Sequence, residues 1–244
     1  MSNEPDYHNR KTVLATNIYN LLCNLGPSTY DEIAPKIKYW IEYVLIEQFA
    51  TVDDLVERVS YVAWDHSRGS HSTISRFLEE FRETSRLPEQ ARSFVNGLCL
   101  HVLRWFAVAS AEDLWMGYGT GLVSKDGGYG FVRAASFVGH LIGRGLVDRE
   151  LVRRHLCKPL TVHYYSDSGD AQKQAIRANA IYELFTAAGN ALLQGLLEPE
   201  DIQICFERME ARISLGDISG LYALDTARLD VRCDSRLDAS VIKT

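Results

Sequence analysis

Histidines, cysteines and a glycine-dense segment are the parts of this chain that could do covalent or metal chemistry. The seven histidines (His8, His66, His71, His101, His140, His155 and His163) are spread out, and none stands in a His-Glu-x-x-His arrangement. That spacing would set two imidazoles on one helix face around zinc. The five cysteines (Cys23, Cys99, Cys157, Cys205 and Cys233) never form Cys-x-x-Cys, so they read as reduced, small apolar residues. Gly117-Tyr-Gly-Thr-Gly121 has the glycines of a phosphate cradle, but no strand pattern precedes it and no Gly-Lys-Ser/Thr follows. Asp65-His66-Ser67 are adjacent in sequence, whereas triad members meet in space. The acid pairs Asp53-Asp54 and Glu79-Glu80 sit where helix starts and polar faces solvate them. No catalytic residue, metal site, cofactor or small-molecule substrate is expected.

Binding residues stand out more. Between residues 133 and 158, Arg133, Arg144, Arg149, Arg153, Arg154 and Lys158 face only Asp148 and Glu150. Arg149 and Arg153 are four apart, as are Arg154 and Lys158, so one helix face can be continuously basic. Such a face suits RNA phosphates or an acidic protein surface, and it also suits plain solvation. Trp115, in Leu-Trp-Met beside the glycines, is a candidate anchor for a partner, or a loop residue tucked onto the core. Trp40, Trp64 and Trp105 fall on apolar stripes and are expected in the core.

Helices must position these residues. Apolar side chains recur at helical spacing along most of the chain, and alternating strand patterns of any length are missing. Thr51-Val-Asp-Asp54 and Ser28-Thr-Tyr-Asp31 both have the form of a capping box. Pro35 implies a kink or a late start in the second of these helices. Further helices are expected at Lys11–Leu25, Ser72–Thr84, Pro88–Ala109, Tyr129–Gly145, Asp148–Leu160, Ala171–Gly195 and Glu198–Ile213. The short links favour antiparallel hairpins. Six of the seventeen glycines lie in 117–130, which is expected to be a surface loop and the one internal seam. Residues 1–10 and the tail, within 216–244, are expected to be loose apart from one C-terminal helix.

Composition bounds the class. The 244 residues are 46% hydrophobic and 24% charged, with net charge −6, which fits a packed globular protein. Residues 1–122 carry 11 Lys/Arg against 16 Asp/Glu, so the first half is the acidic one. Neither a membrane-spanning run nor a secretory start is present in the sequence, which points to a soluble, cytoplasmic or nuclear chain.

Three stretches resemble the middle domain of the eukaryotic translation initiation factor 4-gamma scaffold family. Leu22-Cys-Asn-Leu-Gly-Pro-Ser-Thr-Tyr-Asp31 is similar to that family's Leu-Asn-Lys-Leu-Thr-Pro-x-x-Phe-Asp through Leu25, Pro27, Tyr30 and Asp31. Phe137-Val-Gly-His-Leu-Ile-Gly-Arg-Gly-Leu-Val147 resembles Phe-Ile-Gly-Glu-Leu-x-x-x-x-Met-Leu, with His140 in place of the acid. Leu184-Phe-Thr-Ala-Ala-Gly-Asn-Ala-Leu192 resembles Leu-Leu-Thr-x-x-Gly-x-x-Leu. In both of the last two, the glycines (Gly139 and Gly189) would let a neighbouring helix approach closely.

The resemblance spans about residues 12–215 and implies an all-α, HEAT-like solenoid of about five antiparallel helix hairpins, residues 11–215 forming the array. It also implies a non-enzymatic scaffold in mRNA translation or RNA metabolism that binds a DEAD-box RNA helicase. Within that reading Arg144, Arg149, Arg153, Arg154 and Lys158 would touch RNA or an acidic partner. The rival readings are a helical protein–protein adaptor without helicase or RNA binding, and an enzyme with the glycine segment as a lid.

Overall fold

The computed structural model describes residues 4–63, 70–112, 129–157, 171–189 and 191, and among them all regular structure is helical. The α-helices are α1 (Glu4–Cys23), α2 (Tyr30–Ile46), α3 (Val52–Val59), α4 (His71–Thr84), α5 (Pro88–Glu112), α6 (Tyr129–Gly143), α7 (Arg149–Val152) and α8 (Ala171–Ala188). A 3-10 turn, Ser60–Ala63, follows α3, and a wide π turn, Arg153–Cys157, follows α7. No described helix is long and apolar enough to cross a membrane. Two compact units divide the chain, Met1–Val102 and Leu103–Thr244. The division falls within α5. Residues 117–128 lie outside the described part, as do 192–244 with the expected Glu198–Ile213 helix and tail.

In the first unit α1 packs on α2 and α3, and α2 meets α4. Ile18, Leu22, Ile37, Ile41, Leu55, Val59 and Leu78 are fully buried, each burial contributing about 1.5–3 kcal/mol. Phe77 stacks on Phe81, and Phe81 meets Phe94 of α5 edge-on at 6.1 Å. The α1 helix starts at Glu4, ahead of Lys11, so residues 4–10 are helical where they were expected to be loose. Pro5 falls in the first turn, where its missing N–H costs nothing.

Caps show where local rules hold and where they fail. At Thr51 the box forms: its Oγ1 accepts from Asp54 N–H at 3.2 Å, and its own N–H donates to Asp54 Oδ2 at 2.9 Å. At Ser28–Asp31 it does not form. Thr29 Oγ1 instead accepts from Gly26 N–H and donates to the Asn24 carbonyl, each at 2.9 Å, which ties off the preceding turn. Pro35 does not delay α2, which begins at Tyr30. Its missing N–H removes the donor that the Asp31 carbonyl would otherwise meet one turn on.

At its other end α2 closes on Gln48, at φ +56, with the Phe49 N–H returning to the Val44 carbonyl at 3.1 Å. A side chain in that region costs roughly 1–2 kcal/mol, which glycine does not pay. Glycine adds ~0.5–1 kcal/mol of unfolded-chain entropy against this, so Gln48→Gly is expected to raise stability by no more than about 1 kcal/mol, read as a slightly higher urea midpoint with unchanged slope.

In the second unit α6 lies against α8. A Cβ at Gly139 would sit 2.5 Å from the Leu184 carbonyl oxygen and 2.7 Å from Ala187 Cβ. One at Gly143 would sit 3.0 Å from the Ala187 carbonyl oxygen. The two glycines, one helical turn apart, thus admit α8 at backbone contact. Gly189 works otherwise than expected. Nothing lies within 4 Å of where its Cβ would be, and its φ of +54 closes α8 at Ala188; residues 192–195 of the expected helix lie outside the described part. Phe106 of α5 stacks on Phe131 of α6 at 4.8 Å.

Candidate functional site

The residues between α6 and α7 form a stiff connector. The Leu146 N–H donates to the Leu141 carbonyl at 3.0 Å and the Gly145 N–H to Ile142 at 2.9 Å, with Gly145 at φ +62. That double bond is the Schellman ending, which glycine permits. Leu146 and Val147 then turn into the core, 4% and 5% exposed. Asp148 caps α7 by accepting from Leu151 N–H at 2.8 Å.

This connector sets half-exposed Arg144 at one helix end and exposed Arg149, Arg153 and Arg154 on the next. Arg154 pairs with Glu150 at 3.5 Å across one turn, an exposed contact worth only ~0.3–0.5 kcal/mol. The continuous α-helix expected over Asp148–Leu160 is corrected to α7 and the π turn through Cys157. The four-residue repeat therefore holds from Arg149 to Arg153, and the wider winding changes the register after it. Lys158 and Trp115 lie outside the described residues, so neither joins the site geometrically.

Two histidines report the field here. His155 has its pKa lowered by burial and then by Arg104 and Arg154. His140 has its pKa lowered by burial and then by Arg144. Both hold less proton than an ordinary histidine, so the positive potential comes from guanidinium groups. Exposed Arg104 is the member that sequence reasoning missed. It lies on α5, far from the 133–158 window, and only the fold carries its charge to His155.

Cys99 is buried, and burial pushes its thiol up to about 12, which makes it an inert core residue. No group of three or more His, Cys, Asp or Glu among the described residues is arranged to hold a metal. Asp65-His66-Ser67 and Trp64 lie outside the described part. Trp40 and Trp105 are half-buried, not core as expected.

Trp40 belongs to an aromatic cluster on the outer side of α2. Tyr39 stacks on Tyr43 at 6.0 Å, Trp40 meets both edge-on at 5.6 and 5.7 Å, and Phe49 leans on Tyr43 at 5.7 Å. Tyr39 is 54% exposed and Ile46 51%. The apolar stripe of α2 hid this cluster from sequence reasoning, though three aromatics within five residues could have signalled it. An open groove of about 540 Å³ also runs along the first unit, lined by Arg82, Glu83, Pro88, Arg92 and Asn96.

No protein-family model, curated protein or solved structure matches the chain. Leu25 and Tyr30 are buried, and the Tyr30 hydroxyl donates to Glu80. The second and third stretches meet in space, Gly139 against Leu184, Ala187 and Ala188.

Proposed function

We propose that the chain is a non-enzymatic helical scaffold acting in mRNA translation or RNA metabolism in the cytoplasm. In this reading its helices stack as in the HEAT-like middle domain of the initiation factor 4-gamma family. It holds a DEAD-box RNA helicase and contacts RNA, or an acidic partner surface, through the arginines of its second unit. The observation that supports it is the set of exposed Arg104, Arg149, Arg153 and Arg154, three of them presented by the stiff connector between α6 and α7. A rigid support lowers the ordering cost of each phosphate contact.

The test is fluorescence anisotropy of a labelled single-stranded RNA at ~50 and ~200 mM salt. Phosphate binding makes affinity fall steeply over that range. The double variant Arg149→Glu/Arg153→Glu is expected to weaken binding at least tenfold. It should also flatten the salt slope by roughly 0.7 for each contact removed. Unchanged affinity in the variant would remove RNA from the proposal.

Protonation adds a second readout. Burial is the main cause of the lowered pKa of His155 and His140, and phosphates near Arg104, Arg154 and Arg144 would offset only the smaller part that comes from arginine repulsion. RNA binding is then expected to take up protons and to strengthen from pH 7.5 to pH 6, an effect measurable in the same titration. A second reading, a protein–protein adaptor without RNA or helicase contact, is favoured by the exposed aromatic cluster of α2.

A further inference from the structure

We propose that the outer face of α2 is a docking site for an arginine-bearing peptide segment of a partner protein. Glu32, Lys36, Tyr39, Tyr43 and Glu47 follow one another along that face at helical spacing. Lys36 is occupied by Glu32, at 2.7 Å across one turn, so the basic residue of this face is already matched. Glu47 stands exposed at the C-terminal end, where the α2 carbonyls add their negative potential. Between these ends lie Tyr39 and Tyr43, stacked within 11° of parallel and braced edge-on by Trp40. The rings already rest on one another, so the platform is formed before anything binds.

An arginine guanidinium is the group that fits these features together. Its flat cation stacks on a tyrosine face and its N–H fork reaches a carboxylate. The first unit contains this pairing once already: the Arg76 guanidinium lies over the Tyr30 ring at 4.1 Å while its Nε donates to Glu80 at 2.8 Å. On the α2 face Tyr43 and Glu47 stand about one helical turn apart, and the cation would come from outside. Nucleic acid bases also stack on tyrosine, but their phosphates would meet Glu47 and the negative helix end. This face belongs to the first unit and the basic residues to the second, and the proposal does not depend on their role.

The probes are fluorescein-labelled decapeptides of alternating arginine and glycine, and of alternating lysine and glycine, with a labelled uridine decamer as third probe. They are titrated against the full chain. The arginine peptide is expected to bind at least threefold more tightly than the lysine peptide, since stacking and not net charge selects it. Tyr39→Ala should weaken it roughly three- to tenfold and Tyr39→Phe should not, because the ring face is what binds. Glu47→Gln should weaken it about two- to threefold, while Arg149→Glu/Arg153→Glu leaves it unchanged. Tyr39 is 54% exposed, so Tyr39→Phe keeps the wild-type melting temperature and Tyr39→Ala stays folded, losing only the ~0.5–1.5 kcal/mol of an aromatic pair. Equal binding of the two peptides would overturn the proposal, as would a Tyr39→Ala chain that binds like wild type. Loss of uridine-decamer binding in Tyr39→Ala, without loss of peptide binding, would overturn it in favour of nucleic acid.

Discussion

Gly139→Leu is expected to unfold the second unit's helix pair, with a loss of about 3 kcal/mol or more. Even a Cβ at this position would lie 2.5 Å from the Leu184 carbonyl oxygen and 2.7 Å from Ala187 Cβ. The first neighbour is backbone and cannot swing aside, so α8 must move away from α6. Overpacking of this kind costs ~1–3 kcal/mol for added methylenes, and leucine brings four carbons. Against that, alanine would gain about 1 kcal/mol of helix propensity over glycine, so Gly139→Ala should lose less. Gly145→Ala separates packing from backbone strain, since nothing lies within 4 Å of its Cβ position and only φ +62 opposes the side chain. Its cost should be about 1 kcal/mol. Urea melts of the three variants give this order, and equal losses at Gly139 and Gly145 would refute close helix approach as the cause.

Glu42→Ala is expected to cost the first unit about 3 kcal/mol, although a surface glutamate would cost little. Glu42 is 1% exposed and holds the link between α4 and α5. Its carboxylate accepts from Ser85 Oγ and Arg86 N–H, each at 2.9 Å, and from Arg86 Nε at 2.8 Å. Hydrogen bonds to a charged group contribute ~1.5–3 kcal/mol each, less when they share one acceptor. Burial alone raises the Glu42 pKa, but the Arg86 and Ser85 bonds outweigh it and the net shift is downward. A carboxyl with a lowered folded pKa stabilises above its unfolded value, near 4.5, and that contribution fades as pH falls below it.

The histidines of the second unit act in a higher window. Their folded pKa values lie below 6.5, so protonation favours the unfolded chain and stability is lost as pH falls from about 6.5. Denaturation followed from pH 7.5 downward should thus show an early loss near pH 6, reduced in His140→Leu/His155→Leu. A later loss below pH 4.5 should shrink in Glu42→Gln.

Much of what positions these groups was legible locally. The Thr51 cap, the Gly139 approach and the helical stripes depend on residues within a few turns, or on a glycine whose use is general. Glu42 was not legible, because an acid inside an apolar stripe becomes tolerable only through partners 43 and 44 residues away. Arg104 escaped for the same reason. The π turn after Val152 has no proline or glycine to announce it. Gln48 adopts a glycine conformation without being glycine, and Phe49 then returns to Tyr43. At Thr29 a correct motif chose another partner, the turn at Gly26. Long-range pairing decided Glu42 and Arg104, whereas Thr29 and Gln48 turned on contacts within six residues.

The scaffold reading is tested most directly by capture from a eukaryotic lysate at ~50 and ~200 mM salt, with and without RNase, read by mass spectrometry. A DEAD-box helicase that remains bound after RNase treatment, with RNA released at the higher salt, is the predicted result. Recovery of an unrelated protein complex alone, indifferent to RNase and to salt, would contradict it and leave the chain an adaptor.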